Sequence, residues 1–216
     1  MDISEVPDKY IGTDESGKGD YFGPLVIAGV YVDPLIQTRL ESLNILESKR
    51  ISDNRAVQLA EAIRQIAPSS LVIIGPEKYN QLYAKIKNLN RLLGWGHARA
   101  IENILAQTDC DTAISDQFGD ERFICNSLMK KGSEIRLLQT PGAERFLAVS
   151  AASVLARAAF LNYLKKLESE YQMELPKGAS GLVDQAGRRF LKAHGVKKLD
   201  QVAKMHFKTT KKIGAA

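Results

Sequence analysis

Cysteine is scarce: only Cys110 and Cys125 occur in 216 residues, with no CxxC pair. That argues against a disulfide framework or a cysteine zinc site and fits a reducing, cytoplasmic setting. Long hydrophobic runs are lacking too. The longest clean one, Gly23 to Val32 (GPLVIAGVYV), is about half the ~20 residues of a membrane helix. The N-terminal MDISEVPDKY has no basic stretch followed by an apolar one, so neither a secretory signal nor a membrane partner is expected. Neither GxGxxG nor a nucleotide P-loop is found, which weighs against a small-molecule nucleotide enzyme. No repeat, low-complexity tract or Gly/Ser/Pro linker divides the chain. The 216 residues are therefore read as a single domain; no protein partner is implied, and the oligomeric state is open, with a monomer favoured.

What is present is an ordinary globular composition, 44% hydrophobic and 25% charged, with the charge unevenly placed. From Pro176 to Ala216 there are ten Lys or Arg against Asp184 and Asp200, a net of +8. The whole chain carries +5, so its first 175 residues carry −3. An acidic body with a basic terminal segment suits contact with a polyanion, although a solvated helical surface has the same composition.

The hydrophobic pattern alternates between strand and helix. Tyr10 to Val32 reads as two strands around the glycine-rich turn SGKGDYFG, and Pro34 closes the second. Ser52 or Asp53 caps a helix whose apolar side is Val57, Leu59, Ala60, Ile63 and Ile66. Ser70–Ile74, Thr112–Asp116 and Ile135–Gln139 read as strands. Helices are expected over Glu77–Gln107, broken near Asn88–Asn90, and over Arg122–Lys130. A long helix follows Pro141-Gly142, with Val149, Ala152, Ala156, Phe160, Tyr163, Leu164 and Leu167 at helical spacing. Trp95, Phe160 and Tyr163 are expected in the core. His97 and His194 are left as surface or packing residues, and Ser150 and Ser153 as packing or capping ones. Two short basic helices end the chain. The fold class is α/β, a central mixed β-sheet flanked by helices, with a core of about 10–175 and a basic helical segment of about 176–216.

Acids stand at three element boundaries. Asp14 and Glu15 end the first strand, Asp116 ends TAISD, and Glu144 follows Pro141-Gly142. Neighbouring strand residues point to opposite faces, so a twist or bulge is needed for Asp14 and Glu15 to reach one point. The four acids either cap turns or converge at the strand ends, where sites of α/β sheets gather. Carboxylates without His or Cys are hard oxygen ligands suited to Mg2+ or Mn2+.

The segments GTDESGKGDYFGPLVIAGV, SDQF, TPGAERFLAVSAASVLARA, LPKGAS and KMHFKTT, in that order, resemble the type 2 ribonuclease H family, and its ribonuclease HIII branch in particular. The likeness runs from about Gly12 to about Lys212. GDYFGPL and the glutamate in Gly142-Ala143-Glu144 are HIII-like; the HII branch usually has aspartate at that position. The resemblance implies a ribonuclease H-like fold and cleavage of RNA in RNA/DNA hybrids by two-metal-ion hydrolysis, leaving 5′-phosphate and 3′-hydroxyl ends. It implies Asp14, Glu15, Asp116 and Glu144 as catalytic metal ligands for two Mg2+ or Mn2+ ions.

It also implies that the backbone of Gly17, Lys18 and Gly19 reads ribose 2′-hydroxyls. Ser48 and Lys49 match a motif usually written Asp-Ser-Lys, with Glu47 in place of Asp, and are implied to touch the substrate backbone. Lys177, Ser180, His206 and Lys208 fall in segments that line the substrate channel. Members of the HIII branch usually carry an N-terminal substrate-binding domain of the TATA-binding-protein type, whereas about ten residues precede the first strand here. With that domain removed or naturally absent, the basic C-terminal segment is expected to bind the hybrid. Two other functions are weighed: incision at single ribonucleotides in duplex DNA, as in the HII branch, and a module that binds hybrids without cutting them.

Overall fold

The structure, a computed structural model, describes residues 7–46, 52–129 and 131–215. Five strands form one mixed sheet: β1 (Tyr10–Ser16), β2 (Leu25–Val32), β3 (Ser69–Ile74), β4 (Thr112–Asp116) and β5 (Arg136–Thr140). Their order is β3-β2-β1-β4-β5. β1, β4 and β5 run parallel, with Thr13 opposite Ser115 and Asp116 opposite Thr140. Every residue of β2 is buried, as its unbroken apolar run LVIAGVYV requires.

Pro34 does more than end β2. It opens helix α1 (Pro34–Glu41), where a missing N–H costs nothing, and Asp33 Oδ1 accepts from the Ile36 N–H at 2.8 Å. Helix α2 (Asp53–Ile66) is capped by Ser52 and buries Ala56, Leu59, Ala60 and Ile63. The expected break in the next helical stretch is real. Helix α3 (Pro76–Ile86) stops at Lys87 with φ 51°, and Asn88 caps α4 (Leu89–Leu105). Helix α5 covers only Arg122–Cys125, shorter than the pattern predicts. Glu102 Oε1 accepts the N–H groups of Met129 and Gly132, so the main chain there turns toward a side chain instead of continuing a helical ladder. Helix α6 (Leu147–Tyr171) is followed by α7 (Gly181–Leu199), kinked at Gly195, and α8 (Lys208–Lys212). The terminal basic segment is thus one long and one short helix rather than two short ones.

The chain forms two compact units. The first comprises residues up to Glu15 with Ile27–Val72 and Asn88–Ala158. Its core joins Ile11, Tyr31 and Ala113 to Ala98, Ile101, Ile104 and Leu105 of α4 and Ile124 of α5. On β1, Gly12 lies directly against the start of α6: a Cβ there would stand 2.3 Å from the Ala148 carbonyl carbon and the Val149 nitrogen. Only glycine permits that approach. Trp95, expected in the core, is 43% exposed on α4. The glycines on either side of it are the buried positions: Gly94 lies against Phe123 and Gly96 against Ile27.

The second unit comprises Ser16–Val26, Ile73–Lys87 and Ala159–Ala216. Tyr21, Phe22, Phe160 and Phe190 are buried in it, and the Tyr171 and Phe190 rings meet at 5.0 Å. By length and composition α6 is apolar enough to cross a membrane, but 72% of its most apolar window is buried in the protein. It is a core helix.

Candidate active site

The alternation of β1 decides where its acids go. Thr13 and Glu15 share the face covered by α4, and His97 of α4 reads both. Its Nδ1 is 2.9 Å from Thr13 Oγ1 and its Nε2 is 3.3 Å from Glu15 Oε2. His97 is wholly buried and stacks on Phe118 at 4.9 Å between ring centres. Gly12 and Asp14 share the opposite face, toward α6, where the Ser153 hydroxyl hydrogen-bonds the Asp14 carboxyl. Asp14 and Glu15 thus lie on opposite faces of β1, as strand alternation dictates, and no twist or bulge brings the two carboxylates to one point.

Burial pushes the Asp14 carboxyl up to about 6, with the neighbouring Glu15 charge adding to the rise. The Ser153 hydroxyl, the Glu15 N–H at 2.8 Å and the His97 ring oppose it. Asp116 ends β4 one residue past the Thr13–Ser115 pair, so the parallel register sets it beside Asp14 and on the same face. Its Oδ1 accepts the Ala143 N–H at 3.1 Å. Ala143–Arg145 is a 3-10 turn entered through Gly142 at φ 68°, and Ser150 Oγ donates to the Glu144 carbonyl at 2.6 Å. Asp14, Asp116 and the turn bearing Glu144 thus share one end of the sheet. Among the described residues, however, no three His, Cys, Asp or Glu side chains are gathered closely enough to hold a metal ion. Asp116 is turned onto a backbone N–H and Glu15 onto His97.

The donor set still fits a divalent cation. All four ligands would be hard oxygens, and the Glu15 charge, second to burial in raising the Asp14 pKa, is one that a cation would offset.

In the second unit, the predicted contact segments prove to be hydrogen-bonded to one another. Gly17 takes φ 86°, a conformation glycine adopts freely, and a Cβ there would stand 2.1 Å from the Pro24 carbonyl. Asp20 Oδ1 accepts the Gly178 N–H at 2.6 Å, and the Tyr21 N–H donates to the Gly178 carbonyl at 2.9 Å. Those bonds tie the Gly17–Gly19 loop to the segment holding Lys177 and Ser180. The turn before His206 joins the same loop: Gly23 N–H donates to Val202 O, and Lys204 N–H to Tyr21 O. Lys177, Ser180, His206 and Lys208 are all exposed, while Gly17 is buried and Gly19 open. His206 stacks on Tyr83 at 4.1 Å, and burial and the Lys204 charge both lower its pKa. Ser48 and Lys49 lie outside the described residues.

Comparison with known proteins settles the kinship. A family model described as Ribonuclease HII matches residues 11–210. The chain belongs to the ribonuclease HII family. That makes it a type 2 ribonuclease H, a class of metal-dependent endoribonuclease. Ribonuclease HIII of Protochlamydia amoebophila is 46% identical over 200 residues, which are 93% of this chain and 66% of that protein. Ribonuclease HIII of Chlamydia pneumoniae is 45% identical over 206 residues, 94% of this chain and 69% of the relative. The chain thus spans about two thirds of the length of these relatives. Among solved structures, Bst-RNase HIII in complex with Mn2+ superposes with a TM-score of 0.88 at 31% identity, covering 97% of this chain and 70% of that one. The ribonuclease H-like fold, the HIII branch and the ribonuclease H activity on RNA in RNA/DNA hybrids expected from the sequence all stand.

Two side chains beside this ribonuclease's acids, and one buried lysine elsewhere, have surroundings that the sequence did not reveal. His97, expected as a surface or packing residue, and Ser153, expected to pack or cap, each touch an acid. The one available signal for His97 was its place in GWGHARA, a lone polar side chain on the buried face of α4. Lys204, one of the ten basic residues of the terminal segment, is wholly buried.

Proposed function

We propose that this ribonuclease H cuts the RNA strand of RNA/DNA hybrids through two Mg2+ or Mn2+ ions held by Asp14, Glu15, Asp116 and Glu144, leaving 5′-phosphate and 3′-hydroxyl ends. The observation that carries this reading is the parallel register that puts Asp116 beside Asp14, with the Ala143 N–H tying the Glu144 turn to Asp116. When bound, such ions activate water and stabilise the charge that develops on phosphate and leaving oxygen. The chain's own groups prepare the site. Ser153 orients Asp14, His97 holds Glu15, and the Ala143 N–H fixes Asp116. No protein nucleophile is required. Acids at one end of the sheet also weigh against a module that only binds hybrids, since a polyanion binder gains nothing from negative charge where it meets its ligand.

Gly17, Lys18 and Gly19 read the 2′-hydroxyl through their backbone in this account, and Lys177, Ser180, His206 and Lys208 hold phosphates. The hybrid is therefore the partner, and phosphate contacts make its binding fall steeply with salt. Cys110 and Cys125 are free thiols, which fits a cytoplasmic enzyme.

The test is cleavage of an end-labelled hybrid beside the matching RNA and DNA duplexes in Mn2+. Only the hybrid should be cut, with Asp14→Asn inactive. Equal cutting of a duplex carrying a single ribonucleotide would indicate HII-type incision instead. A clean preparation that binds hybrid and never cuts it would leave only the binding module.

A further inference from the structure

Lys204 is 0% exposed, and its ammonium serves neither the acids nor the protein surface. Burying such a group is costly unless it is hydrogen-bonded, and a hydrocarbon of similar size fills the same space without that penalty. The partners it has are two main-chain carbonyls of one loop, Asp20 O at 2.7 Å and Gly23 O at 2.8 Å. The Asp20 carboxylate is committed to the Gly178 N–H. The Tyr79 ring lies 5.8 Å from the ammonium and completes its surroundings.

Two carbonyls three residues apart can meet one donor only if the backbone between them is strongly curved. The loop is built for that, with Gly17 at φ 86° and Gly23 at φ 82°. The other side of the tie is firm. Asn80 of α3 donates to the carbonyls of Asp200 (3.2 Å) and Ala203 (2.9 Å) and accepts the Met205 N–H at 3.0 Å. A rigid turn therefore presents Lys204 to the loop from a fixed position.

We propose that Lys204 is a positioning residue for hybrid recognition: its buried ammonium gathers the Asp20 and Gly23 carbonyls and so holds the Gly17–Gly23 loop in the shape that reads ribose. The inference rests on the assignment of that loop to substrate recognition. It adds a specificity-determining residue that makes no contact with substrate.

The experiment compares the 216-residue protein with Lys204→Met, which fills the space without a donor, and Lys204→Gln, which keeps a shorter one. In Lys204→Met, the amides of Asp20, Tyr21 and Gly23 should exchange about tenfold faster or more, while those of β4 keep their protection. Hybrid binding in EDTA, where no cleavage occurs, should weaken about tenfold, and more than binding to the DNA duplex, so that discrimination between the two narrows. With Mn2+, KM should rise more than kcat falls, and calorimetric Mn2+ affinity should stay unchanged. Lys204→Gln should fall between Lys204→Met and the unaltered protein. Unchanged loop exchange, or equal losses on hybrid and DNA, would overturn the proposal. So would failure of both variants to fold, because Lys204 would then be a requirement of the core. The underlying assignment is read separately in the unaltered protein. If hybrid gives no protection to amides 17–19, the loop is not the recognition element, whatever Lys204→Met does.

Discussion

Asp14→Asn should stabilise the metal-free protein while destroying its activity. The Asp14 carboxyl titrates at about 6 in the folded chain against an ordinary 3.8. Each pH unit of difference corresponds to about 1.4 kcal/mol, so above pH 6 the ionised group costs the native state about 3 kcal/mol. The sign follows from proton counting. Between pH 4 and 6 the native state binds more protons than the unfolded one, so stability falls as pH rises through this window and is level beyond it. Asparagine has no charge to bury, but its NH2 replaces one carboxylate oxygen, so the Ser153 hydroxyl must turn from donor to acceptor and the hydrogen bonds lose their charge assistance, a loss of about 1 kcal/mol. A net gain of about 2 kcal/mol remains at pH 7.5, equivalent to a Tm increase of roughly 4–8 °C for a chain of this size. Thermal melts in EDTA at pH 4 and pH 7.5 measure it. The variant should melt higher at pH 7.5 and show no advantage at pH 4. A variant no more stable than its parent at pH 7.5, or equally stabilised at both values, would refute the reasoning.

Two further outcomes follow from the same geometry. His97→Gln, which keeps a donor near the position of Nε2, should retain much of the Mn2+ affinity, whereas His97→Phe should lose about tenfold or more; calorimetry distinguishes them. Removing two phosphate contacts with Lys177→Ala and Lys208→Ala should lower the slope of log K for hybrid against log[salt] by about 2, as measured by anisotropy across a salt series.

The strands were legible in the chain because β-rich runs end at glycines and prolines, and Ser52 and Asn88 were legible as caps because their side chains have one economical use at a helix start. Helix α1 was not, because Pro34 reads equally as the end of β2 and as the first residue of a helix. Helix α5 was overestimated because what ends it, Glu102, lies on another helix. At the site, the four acids stood out by type and by position at strand ends. What sequence could not supply was orientation. The pleat sends Glu15 to His97 and Asp14 to Ser153, and the acids share an end of the sheet without their carboxylates meeting. The burial of Lys204 is hidden in the sequence for a related reason: it stands among nine other basic residues, and the two carbonyls that hold it lie more than 180 residues earlier in the chain.

In the proposed mechanism, acids far apart in sequence jointly hold divalent cations. Calorimetric titration of Mn2+ into the unaltered protein, Asp116→Asn, Glu144→Gln and Lys177→Ala tests it without reference to activity. Saturable binding should weaken about tenfold or more in each acid variant and stay at the parent value in Lys177→Ala. Mn2+ affinity that is the same in Asp116→Asn and Glu144→Gln as in the parent would contradict it.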